Sequence, residues 1–188
     1  SALKRNGGKL SASENNFNRV ELDEEIFRAV SDWYHWGILQ IVRTEKYLET
    51  PGHSNPRWLA RQLQISETEA KLAIDRLLKL QLLFRNKEGF FCRTEQGITT
   101  ANKNITSAAL KKWQKQIREK AIASLENDPV EIRSMTSMTM AINPKKIKEA
   151  KILIDEFQEN LAKFLEQGKN EKVYQLCVSL FPLQIREN

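Results

Sequence analysis

The chain has 188 residues, 40% of them hydrophobic and 29% charged, with a net charge of +6. That balance fits one generous domain or two small ones and excludes a disordered chain, which lacks the apolar content to bury a core. No run approaches the roughly 20 apolar residues of a membrane helix, and the first residues lack the apolar stretch of a signal peptide.

The two cysteines, Cys92 and Cys177, read as reduced, buried thiols in strands of a cytoplasmic protein. The basic balance favours an anionic partner.

Residues 1–20 are rich in Gly, Ser, Asn and Lys and read as a disordered tail. Asp23 is a suitable N-cap. Ile26, Val30, Trp33, Gly37 and Ile41 then recur at three- and four-residue spacing, which predicts one long helix to about Tyr47. Pro51 and Gly52 end it. A short helix is expected from Ser54-Asn55-Pro56 through Trp58 to Leu63, with proline at its first position.

Ser66 and Glu69 form a capping box for a third helix, whose inward residues are Ala70, Ala73, Ile74, Leu77 and Leu78. Leu82-Leu83-Phe84-Arg85 and Phe90-Phe91-Cys92-Arg93 read as a hairpin around Asn86-Lys87-Glu88-Gly89. Helix, helix, tight turn, helix, hairpin is the order of a winged helix-turn-helix, here over residues 21–100.

Residues 101–188 change character. A helix is expected from Ser107 to Leu125, with Leu110, Trp113, Ile117, Ala121 and Leu125 on one side, ended by Asp128-Pro129. Arg133 to Ile142 reads as a strand. Asn143-Pro144 opens a second helix with Ile147, Ala150, Ile154, Phe157, Leu161 and Phe164 on a stripe, stopped at Gly168. Tyr174, Leu176, Val178 and Leu180 alternate as in a final strand.

The fold class expected is therefore α+β, a winged helix-turn-helix module followed by an α-β-α-β dimerisation or sensory domain. Two strands make a marginal sheet, so further strands are expected from a second copy, from the N-terminal part or from a partner, with a homodimer the favoured reading.

In such a module the third helix meets the major groove with its outer face. That face carries Glu67, Thr68, Lys71, Leu72 and Asp75. Thr68 and Lys71 are candidates for contact near bases. Arg57, Arg61, Arg76, Arg85 and Lys87 are candidates for phosphate, with Lys79 and Arg93 beside them. A DNA-binding transcriptional regulator is the first reading.

The two carboxylates and the leucine suit a second reading, a protein-interaction module that docks through Glu67, Leu72 and Asp75. The four tryptophans read as core, three of them on apolar stripes. Lys145, Lys146, Lys148 and Lys151 stand at a helix start, against the macrodipole. No phosphate loop, dinucleotide fingerprint, metal-ligand pair or nucleophile elbow occurs, so neither an enzyme nor a cofactor is expected.

Ser31-Asp32-Trp33-Tyr34-His35, the run Glu131-Ile132-Arg133-Ser134 leading to Thr136-Ser137-Met138-Thr139, and Val173-Tyr174-Gln175-Leu176 with Leu180-Phe181-Pro182-Leu183 resemble motifs of an uncharacterised bacterial domain-of-unknown-function family. The resemblance covers roughly residues 24 to 185. It implies a presumed winged-helix regulator, whose further upstream helix-turn-helix is expected to be missing or cut away here, since only the short tail precedes the first helix. Gln81 stands where that family usually has glycine between the third helix and the hairpin.

Overall fold

In chain order the elements are β1 (Arg19–Glu21), α1 (Glu24–Ala29), α2 (Trp33–Ile41), α3 (Glu45–Leu48), α4 (Pro56–Leu63), α5 (Glu67–Lys79), β2 (Leu83–Arg85), β3 (Phe91–Arg93), β4 (Gly97–Thr99), α6 (Ala108–Asn127) and α7 (Ile147–Leu165), with 3-10 turns at Pro51–His53, Val130–Ile132 and Pro144–Lys146. The computed structural model describes residues 19–21, 24–49, 51–94, 97–99 and 108–184.

The stretch predicted as one long helix is three. The breaks fall at Asp32 and Thr44, whose backbones are extended with ψ of 133° and 147°. Short polar side chains compete with the helix for backbone hydrogen bonds and favour its ends. Thr44 Oγ1 donates to the Ile41 carbonyl at 2.7 Å. The apolar spacing persists across both breaks because all three segments pack on one core.

The next elements follow their local signals. Asn55 Oδ1 accepts from the Trp58 N–H at 2.9 Å and Pro56 starts α4. Ser66 and Glu69 close the capping box in both directions, at 3.1 and 2.8 Å. Gln64 and Gln81 take left-handed backbone, φ 54° and 56°, at the ends of α4 and α5. Gln81 thus adopts the conformation that glycine serves most easily. Gly89 has φ 86° in the hairpin turn, where Asn86 Oδ1 accepts from the Phe90 N–H at 2.8 Å.

The hairpin is antiparallel, with Leu83, Phe84 and Arg85 opposite Arg93, Cys92 and Phe91. β1 pairs in parallel with β4, so Arg19 and Val20 lie in a strand rather than in the expected tail. Residues 1–18 lie outside the described residues.

A single core gathers Phe27, Ile38, Tyr47, Leu59, Leu77, Leu83 and Phe91, and it extends to Ala109, Trp113 and Ile117 of α6, beyond the expected boundary at residue 100. A Cβ on Gly37 would stand 2.7 Å from Leu63 Cδ2, so this glycine lets α2 lie close against α4. Trp36, off the expected stripe, still packs on the core, 6.2 Å from the Phe27 ring and 6.5 Å from Trp113.

Past Ile117 the expectation fails in one respect. Helices α6 and α7 form where the periodicity put them, and Gly168 takes φ 82° beyond α7. But residues 133–142 and 174–180 form no strands, and none of residues 118–184 is buried. Arg133 and Asn143 have extended backbone. A strand needs a neighbour to complete its ladder, and among the described residues neither segment has one. The α-β-α-β domain is therefore two helices with irregular connections. Cys177, expected in a strand and buried, is exposed, whereas Cys92 is half-buried in β3. What stands among the described residues is a helix-dominated α+β arrangement with one small antiparallel sheet and one parallel strand pair. Among the described residues no helix is long and apolar enough to cross a membrane.

Candidate nucleic-acid interface

Helix α5 buries Ala70, Ala73, Ile74 and Leu77 and leaves Thr68, Lys71, Leu72, Asp75 and Lys79 exposed. Leu72 is 57% exposed. At the N-terminal turn, Glu67 accepts from Lys71 Nζ at 3.0 Å and from Arg57 Nε at 3.3 Å. Those two contacts, Lys71 first, hold its carboxyl below the usual carboxylate range. Arg57 and Lys71 therefore sit together, their charge offset in part by Glu67.

The other candidates divide. Arg61, four residues along α4 from Arg57, is exposed and makes no side-chain hydrogen bond or ion pair among the described residues. Arg85 donates to the Gly89 carbonyl at 2.9 Å and lies 4.1 Å over the Phe91 ring, which fixes it along the hairpin. Lys87 is exposed in the hairpin turn. Arg93 is half-buried.

Arg76 points elsewhere. It is half-buried, with Nη1 3.1 Å from Nε2 of the fully buried His35. The geometry makes it a brace between α5 and α2, not one of the outward cations expected.

His35 Nδ1 lies 3.0 Å from the Asp32 carbonyl. One arrangement satisfies both ring nitrogens: Nδ1–H donates to Asp32, and neutral Nε2 accepts from Arg76. Burial, with the Arg76 charge adding to it, pushes the ring below its ordinary value near 6.5.

The unfolded chain then binds a proton below about pH 6.5 that the native ring refuses. Stability is full above that pH and falls as the pH drops below it, at up to about 1.4 kcal/mol per pH unit until the native ring titrates. Urea unfolding between pH 7.5 and 5 should show this slope, and His35→Gln should flatten it. An equal slope in the variant would assign the effect to other groups.

Asp32 ties the same turn to α6. Its carboxylate is 2.6 Å from Lys112 Nζ and accepts from Gln116 Nε2 at 3.0 Å, while the Trp33 N–H donates to Gln116 Oε1 at 3.0 Å. Burial raises the Asp32 pKa, but the bonds from Lys112 and Gln116 outweigh it and hold the carboxyl below its usual range. Lys120 Nζ lies 4.1 Å over the Trp33 ring. The motif Ser31-Asp32-Trp33-Tyr34-His35 thus joins α2 to α5 and to α6. Spacing alone hid these partners, which lie 41 and about 80 residues away.

No curated protein and no solved structure matches the chain. A family model described as a domain of unknown function, DUF4423, matches residues 13–183, which span the joined motif, both long helices and both unpaired segments. The chain belongs to the DUF4423 family.

Proposed function

We propose that α4, α5 and the β2–β3 hairpin act as a winged helix-turn-helix that binds duplex DNA, and that the chain serves as a transcriptional regulator. The observation that carries this reading is the start of α5. There Arg57 and Lys71 converge on one carboxylate beside the exposed Thr68, at the end of the helix where backbone N–H groups favour an anion. Arg61, Arg85 and Lys87 extend the positive surface along α4 and the hairpin. Arg76 is left out of the interface because His35 holds it.

Anisotropy of labelled random-sequence duplex, at low and near-physiological salt, tests the reading. Binding should fall steeply with salt, and removing Arg61 and Lys87 by alanine substitution should flatten the log–log slope by about one for each phosphate no longer neutralised. Glu67→Gln frees Arg57 and Lys71 and should tighten binding. No binding at low salt would falsify the proposal.

The 57% exposure of Leu72 between Glu67 and Asp75 favours a second reading, docking of a protein on the same helix face. Leu72→Lys separates the two, since it should strengthen DNA binding and abolish protein docking.

A further inference from the structure

Among the described residues, 20 of the 23 large apolar side chains left exposed lie between Ile122 and Leu183. They stand on the end of α6, on the 130–142 connection, on α7 (Leu153, Phe157 and Phe164 among them) and on residues 173–183. Ordering a residue costs about 1–2 kcal/mol of backbone entropy, and residues 118–184 offset this with no buried side chain of their own.

Their ties to the folded core are polar. Glu166 pairs with Arg43 at 3.5 Å, Lys169 with Glu45 at 3.1 Å, and the Glu45 N–H donates to the Asn170 carbonyl at 2.9 Å. An apolar surface of this extent marks an interface.

The charge pattern of α7 identifies what covers it. The 3-10 turn that leads into it and its first half carry Lys145, Lys146, Lys148 and Lys151 against the single Glu149, and its second half carries Asp155, Glu156 and Glu159 against the single Lys163. A parallel copy of the helix would oppose lysine to lysine. An antiparallel copy sets each basic end beside an acidic half and opposes the two macrodipoles favourably. A two-fold axis across the middle of α7 produces that arrangement, and the same surface then serves both subunits. It also explains lysines at a helix N-terminus, where they are unfavourable in isolation.

We propose that residues 122–183 form the interface of a symmetric homodimer, in which α7 packs antiparallel on the α7 of a second copy. The segments 133–142 and 173–183, two from each subunit, then supply one another with strand neighbours that neither has among the described residues of one chain. This inference does not depend on the DNA reading.

Light scattering on the full chain at about 10–100 µM should give twice the 21.8 kDa chain mass. Phe157→Asp should give monomer, with the fluorescence of the four tryptophans, all in the N-terminal core, unchanged. Lys145, Lys146 and Lys148 reversed together to Glu should weaken the dimer at least tenfold. Adding Glu156→Lys and Glu159→Lys to that variant should restore it, because the reversed ends again meet opposite charges.

A wild-type monomer over the whole range, or capture of the face by a different protein while the chain stays monomeric, overturns the proposal. So does a dimer that neither Phe157→Asp nor the lysine reversal weakens. Should Phe157→Asp fail to fold, the reversal and its restoration decide, since they alter only exposed side chains.

Discussion

Trp113→Ala is expected to lower the stability of the chain by about 3–5 kcal/mol, the usual cost of emptying a large aromatic site in a core. Trp113 is 8% exposed and stands between Ala109 and Ile117, the three buried residues through which α6 enters the core. Its ring meets Trp36 edge-on at 6.5 Å. Past Ile117 no described residue of α6 is buried, so nothing else apolar replaces the anchor.

The loss should therefore fall on the joint between α6 and the helices before it. Hydrogen exchange in the variant should rise across α6 and α2 more than across α4 and α5. The buried Trp113 Nε1 has no hydrogen-bond partner, so Trp113→Phe removes an orphaned donor along with apolar area and should cost much less. Equal losses for the two substitutions, or a loss below about 1 kcal/mol for alanine, would contradict the role of α6 as a core helix.

The second large effect concerns Tyr47, fully buried. Its hydroxyl accepts from the Phe91 N–H at 2.8 Å and lies 3.1 Å from both the Phe91 carbonyl and Ser54 Oγ. Ser54 Oγ approaches the same Phe91 N–H at 3.0 Å and donates to the Gly89 carbonyl at 3.0 Å. The two hydroxyls together dock the hairpin on α3 and the turn before α4.

Either one alone still leaves the Phe91 N–H an acceptor. Tyr47→Phe and Ser54→Ala should each cost about 1 kcal/mol, whereas the double variant strands a buried donor and should cost more than their sum, by about 1–3 kcal/mol. Chemical denaturation of the four proteins measures the coupling directly. Additive losses would show that water or a shift of the hairpin satisfies Phe91.

Much of the first half of the fold was legible because its signals are local. Asn55-Pro56 and the Ser66/Glu69 box set helix starts within three residues of themselves. Gly89, in left-handed backbone, and Asn86 shape a turn from four residues. The buried side of α5 follows from helical spacing alone, and so do the lengths of α6 and α7.

The candidate surface was legible in outline. Arg57, Arg61, Lys71 and Lys87 are exposed as their positions imply, but that Glu67 gathers two of them depends on how α4 and α5 cross.

What the tertiary structure decided lies where partners are distant or compete. Apolar period could not reveal the breaks at Asp32 and Thr44, because three short helices packed on one core present the same stripe as one long helix. Arg76 resembles any other basic residue of α5 until His35 is found against it. Alternation in residues 174–180 suits a strand, but a strand is a property of a pair of segments, and the sequence of one chain does not say where the second lies. Local hydrogen bonds and period are written within a few residues of where they act; bracing contacts and sheet pairing depend on which distant surfaces meet.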